Sequence, residues 1–175
     1  MIQRGMRAVR LAAPVFVALA ATACHGVDDD RIPLMPVSIN LRDAGMWNAY
    51  GVAGTGLHRE FILQEREPAG FPYVQGSATG FGGVLLVSGM DPFTTDTNVP
   101  LAYDLACPVE RQPDVRVFIS DDNLDAVCPD CGSHYNAVTG GGAPLSGPAA
   151  TGEHKYGLRR YRCLPSGYGG YYITD

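Results

Sequence analysis

An all-β fold follows from three features of the sequence. Short alternating or β-branched runs recur between turn signals. The 175 residues are punctuated by 22 Gly and 13 Pro. No long stretch carries the apolar period of an amphipathic helix.

The elements can be justified in chain order. Val37-Ser38-Ile39-Asn40-Leu41 alternates apolar and polar side chains, so it reads as the first strand. Residues 48–57 read as loop, residues 59–67 as the one short helix, and residues 68–82 as a long insertion. Gly83-Val84-Leu85-Leu86-Val87 is continuously apolar, the pattern of a strand buried on both faces. Pro100-Leu101-Ala102-Tyr103-Asp104-Leu105 is a strand leading into Cys107. Residues 115–119 and 124–127 flank Ser120-Asp121-Asp122-Asn123, a polar turn between two strands. Asp121, Asp122, Asn123 and Asp125 have the oxygen-rich spacing of a calcium loop but lack its glycine and terminal glutamate, which favours the turn. Tyr135-Asn136-Ala137 is a short strand. The glycines of Thr139-Gly140-Gly141-Gly142 make the next turn. Residues 158–163 and 171–173 close the chain as a hairpin around Ser166-Gly167-Tyr168-Gly169-Gly170.

The N-terminal segment is an export signal. Arg4, Arg7 and Arg10 precede an apolar stretch, residues 11–21, too short to span a bilayer. Ala21-Thr22-Ala23-Cys24 resembles a bacterial lipobox, with an ordinary secretory signal as the alternative. This divides the chain into a signal peptide at 1–23, an acidic tether at 24–31 carrying Asp28, Asp29 and Asp30, and a β domain at 32–175. Cys24 would carry the lipid. The expected location is the bacterial cell envelope, at the outer membrane, on its periplasmic or its surface face, and the lipid on Cys24 is the membrane contact. Without the three signal arginines, 10 basic residues face 18 acidic ones. A mature chain with that excess of negative charge repels phosphate, which excludes nucleic acid as a partner.

Setting Cys24 aside leaves Cys107, Cys128, Cys131 and Cys163. Cys107-Pro108 is followed, from position 128, by Cys128-Pro129-Asp130-Cys131-Gly132-Ser133-His134-Tyr135 and later by Gly147-Pro148-Ala149. Over residues 84–175 this order resembles the cluster-binding part of Rieske iron–sulfur proteins. The resemblance implies a Rieske-type fold of small antiparallel sheets with a cluster-loop subdomain at about 105–149. In such proteins two thiolates hold one iron and two imidazoles the other. Here Val109 and Cys131 stand at the two histidine positions. By the same resemblance, Ser133 and Tyr135 match hydrogen-bond donors to the cluster, and Gly147 and Pro148 match the loop that shields it. Ser133 as a turn residue and Tyr135 as a core aromatic are the structural alternatives.

Four chemistries are open to these cysteines. Disulfides between the two adjacent loops are favoured in an exported chain, since closing a loop of about 22 residues contributes roughly 3 kcal/mol. Cys163 would then pair with the leftover thiol or stay buried. A [2Fe–2S] cluster on Cys107, Cys128, Cys131 and Cys163 would be more negative than a Rieske centre and harder to reduce. Zinc is suggested by the Cys-Pro-x-Cys-Gly knuckle, with Glu110, His134 or His154 completing the set. Thiol–disulfide catalysis is disfavoured, because no helix begins after Cys131 to lower a thiol pKa. No nucleophile elbow, zinc-protease motif or phosphate loop is present, since Gly80-Phe81-Gly82-Gly83 precedes a strand. Two functional classes follow. One is a non-enzymatic accessory or binding domain with disulfide-closed loops and no cofactor. The other is an electron-transfer protein with an all-cysteine cluster or zinc site, working with an unidentified redox partner.

If Cys24 carries the lipid, Cys24→Ser is expected to shift the exported protein from the detergent phase to the aqueous phase in phase partitioning. Unchanged partitioning would contradict it.

Overall fold

The computed structural model describes residues 26–175, so the signal peptide at 1–23 and Cys24 lie outside the described residues. The first half carries β1 (Val27–Asp28), β2 (Val37–Asp43), α1 (Ala44–Tyr50), β3 (His58–Phe61), β4 (Ala78–Thr79), β5 (Val84–Met90) and β6 (Thr97–Asp104). The second half carries β7 (Phe118–Ile119), β8 (Ala126–Val127), β9 (His134–Asn136), β10 (Ala143–Ser146), β11 (Lys155–Tyr156), β12 (Arg160–Pro165) and β13 (Gly169–Thr174). Among the described residues the fold is all-β with one short helix.

Seven strands form the main sheet in the order β3-β5-β6-β12-β13-β2-β4, and four form a smaller sheet in the order β10-β9-β8-β7. Every neighbouring pair in these two sheets is antiparallel. β1 and β11 make a separate parallel pair.

Two-sided burial of β5 organises these layers. Successive side chains of a strand point to opposite faces. Leu85 and Val87 accordingly join one core, with Tyr103, Leu105, Ile119 and Tyr135. Val84 and Leu86 join the other, with Ile39, Leu41, Phe61 and Ile173. The first core packs the small sheet against the main one. The second receives side chains from β3 and β2, near opposite ends of the strand order, so the main sheet curls round it.

A buried carboxylate ties the main sheet to the loops. Asp104, at the end of β6 and fully buried, accepts from the Phe81 N–H (2.9 Å), the Gly82 N–H (3.0 Å), the Ala106 N–H (2.8 Å) and the Tyr161 hydroxyl (2.6 Å). Burial raises the Asp104 pKa, against the pull of the Tyr161 hydroxyl and the three N–H groups. The Gly80-Phe81-Gly82-Gly83 stretch thus serves as a clamp on Asp104. A Cβ at Gly82 would meet the Ala106 backbone at 2.6 Å, so that approach requires glycine.

Three sequence expectations need correction. Residues 59–67 do not form a helix. His58–Phe61 is an edge strand paired with β5, and Ile62 and Glu67 close a tight turn. The register opposite Leu85 and Leu86 and the burial of Phe61 prevail over local helix propensity. The helix forms instead at Ala44–Tyr50, inside the stretch read partly as loop. Asp43 caps it by accepting from the Met46 N–H at 2.8 Å. The acidic stretch at 27–31 is docked rather than a free tether. β1 pairs with β11, Arg159 bonds the Asp30 carboxylate at 3.0 Å, and Ile32 is fully buried.

Asp104→Ala would orphan three backbone donors and a hydroxyl in the interior. It is expected to cost about 3–5 kcal/mol, read as a lowered urea midpoint, with Asp104→Asn costing less because one acceptor survives. Equal midpoints for wild type and Asp104→Ala would contradict the clamp.

Candidate metal centre

The main sheet delivers Cys107, and the small sheet delivers Cys128 and Cys131. Beyond Asp104, the Cys107 N–H donates to the Val115 carbonyl at 2.9 Å. The Arg111 N–H returns to the Cys107 carbonyl at 2.8 Å, which closes the loop carrying the first thiol. The second loop leaves β8 at Cys128 and turns back into β9. The Cys128 N–H donates to the Ser133 carbonyl (2.9 Å) and the Gly132 N–H to the Cys128 carbonyl (3.1 Å). Gly132 stands at φ +66°, the left-handed conformation that the turn requires.

These loops bring three thiols together. The ligand atoms of Cys107, Cys128 and Cys131 all lie within 4.8 Å of one another. Cys107 and Cys128 are buried, and Cys131 is partly exposed. The group lies against the first core.

Two of the sulfurs lie against a hydroxyl. Cys107 Sγ lies 3.4 Å from the Tyr135 hydroxyl. The Cys131 thiol donates to Ser133 Oγ at 3.1 Å, a contact in which the hydroxyl becomes the donor once the thiol ionises. At Cys128 the backbone N–H groups of Cys131 and Asp130 favour the ionised thiol, against its burial. Ser133, fully buried, also accepts from the Ala149 N–H at 3.0 Å. The Gly147-Pro148-Ala149 loop is thereby seated on the cysteine turn. Gly147 stands at φ +77°, and a Cβ there would meet the Ser133 Cα at 2.7 Å. Pro148 is exposed and Ala149 buried.

Burial pushes the Cys128 thiol up to about 12. Cys107 adds to the shift, and the N–H groups of Cys131 and Asp130 oppose it. A folded pKa above the unfolded one stabilises the protonated form. This contribution holds below the ordinary thiol range and is lost as the pH climbs through about 12. Burial also raises the Tyr135 pKa, with Cys107 adding to it.

Cys163 stands apart. It lies on β12 and packs against the second core, where burial pushes its thiol up to about 12. It is absent from the three-thiol group, so it neither completes a four-thiolate set nor pairs with a leftover thiol. All four cysteines of the described region are free, and the expected inter-loop bond is not formed. Cys107 Sγ and Cys131 Sγ lie in non-bonded contact at 3.7 Å. Glu110, His134 and His154 do not join the group either. His134 Nδ1 faces the Asp125 carboxylate at 3.3 Å instead. A [2Fe–2S] core needs four protein ligands, two on each iron. Three converging sulfurs, with the fourth cysteine in another core, do not supply that set.

Sequence reasoning missed the Asp104–Tyr161 clamp that anchors the Cys107 loop. The available signal was the glycine-rich stretch at 80–83, whose bare N–H groups need an acceptor. No protein-family model matches the chain, and neither a curated protein nor a solved structure does.

In the reduced, metal-free protein, Cys131 is expected to be alkylated by iodoacetamide at least about tenfold faster than Cys107 or Cys128, because it alone of the three is exposed. Peptide mass spectrometry over time reads this directly. Equal rates would contradict the burial order.

Proposed function

We propose that this chain is an exported, lipid-anchored, non-enzymatic binding domain on a Rieske-like frame, and that its three-thiol pocket holds a single thiophilic metal ion. One observation carries the reading: three sulfurs converge from two loops, and two of them, Cys107 and Cys131, already lie against a hydroxyl that can donate to a thiolate. Such donors offset the negative charge that thiolates acquire on binding a metal, and groups of this kind orient and tune the ligands. The motif that resembles a Rieske centre supports the same pocket. Val109 and Cys131 at the histidine positions favour one ion over an iron–sulfur cluster. Residues Cys107, Cys128 and Cys131 are the ligands, while Ser133 and Tyr135 support them through hydrogen bonds.

A second reading is favoured by the 3.7 Å contact of Cys107 with Cys131. In it, those two thiols form a disulfide that clamps the loops of an accessory domain, and Cys128 is left buried and inert.

Cadmium titration of the reduced mature protein tests the first reading. The expected result is a thiolate-to-cadmium absorption band that saturates at one ion per chain. Cys128→Ser should abolish it and Cys163→Ser should leave it unchanged. Ser133→Ala or Tyr135→Phe should weaken binding by about 10–100-fold. No saturable band would overturn the metal reading. A Cys107–Cys131 linked peptide in the protein isolated from its export pathway would then favour the disulfide.

A further inference from the structure

We propose that the ion held by Cys107, Cys128 and Cys131 is cuprous copper in a three-coordinate, all-thiolate site, an inference that rests on the metal-binding reading above. The ligand count carries it. Structural zinc takes four protein ligands. Among the described residues no carboxylate, imidazole or fourth thiol joins the three sulfurs. The hydroxyls of Ser133 and Tyr135, which contact two of the sulfurs, are neutral and hard donors. A catalytic zinc site would keep its fourth position open to water. Here Cys107, Cys128, Ser133, Tyr135 and Ala149 are all buried, so any position open to water lies only on the Cys131 side.

A soft monovalent ion has neither requirement. Cuprous copper is soft and monovalent, prefers thiolates and is satisfied by three of them without a fourth ligand. Loading is balanced simply. Three S–H bonds break, three copper–sulfur bonds form, three protons leave to solvent, and copper stays in the +1 state. The site then carries two net negative charges. The Tyr135 and Ser133 hydroxyls stand where they offset that charge.

The partial exposure of Cys131 also names the route of exchange. It is the one thiol of the three that an incoming thiolate-bound copper donor can reach first, and Pro129, Asp130 and Gly132 beside it are exposed. Transfer then proceeds by ligand exchange through Cys131 onto the two buried sulfurs.

The test is a competition on the reduced mature protein, kept anaerobic. Cuprous ion is supplied as its bicinchoninate complex, in the presence of about a hundredfold excess of zinc. The expected result is that one copper per chain leaves the coloured complex and zinc does not prevent it. Cys131→Ser and Cys128→Ser should each weaken retention at least about tenfold, and Cys163→Ser should leave it unchanged. Circular dichroism checks that the variants fold. If zinc or cadmium binds one per chain while copper stays with bicinchoninate, the copper assignment is overturned and the metal-binding reading stands. If no ion is retained, both fall. Equal copper retention by wild type, Cys128→Ser and Cys131→Ser would mean adventitious binding and would overturn the site.

Discussion

Burial of β5 and the second half of β6 on both faces is the constraint on which the rest of this fold depends. A strand whose side chains all face apolar surroundings must be covered twice. The chain achieves this by curling the main sheet round one core and laying the small sheet over the other. That double cover makes the end of β6 a fixed point. Asp104 reinforces it there by collecting four hydrogen bonds from the glycine-rich loop, the start of the Cys107 loop and β12. The first thiol is therefore positioned by the main sheet and the other two by the small sheet. Their convergence reports how the two sheets pack.

The thiol pocket is held by a chain of shared contacts rather than by one strong bond. Ser133 stands at its centre, with its carbonyl on the Cys128 N–H and its hydroxyl between Cys131 and Ala149. This explains why a glycine precedes Pro148: the loop must approach the Ser133 backbone closer than any side chain allows. It also bears on how Cys128, whose thiol burial holds protonated, could serve the proposed metal site. Burial alone disfavours thiolates, and a bound cation would reverse that preference.

Much of this was legible in the residues, because the strongest signals are physical ones. The unbroken apolar run of Gly83 to Val87 announces two-sided burial, and the alternation of Val37 to Leu41 announces a one-sided strand. That Cys107 would lie near Cys128 and Cys131 was implied by the resemblance their order carries rather than by spacing, and the three thiols do converge. Less legible were features decided by tertiary contacts. Arg59 and Glu60 look helical in isolation, yet pair with β5 at a sheet edge. The helix at Ala44–Tyr50 is short and gains its place from the Asp43 cap and from Trp47 against Tyr171, rings 4.7 Å apart. Cysteine parity suggested a set of four, but Cys163 points to the second core, a fact no spacing reveals. Asp104 carries no local signal at all, since a buried carboxylate is recognised only by its partners.

The central claim is that three sulfurs from two loops hold one ion. X-ray absorption at the edge of the bound metal, measured on protein loaded to one ion per chain, tests it most directly. The account predicts a shell of three sulfur neighbours at about 2.3 Å, the usual metal–thiolate distance. A shell of two sulfurs, or one filled out by nitrogen or oxygen, would contradict it.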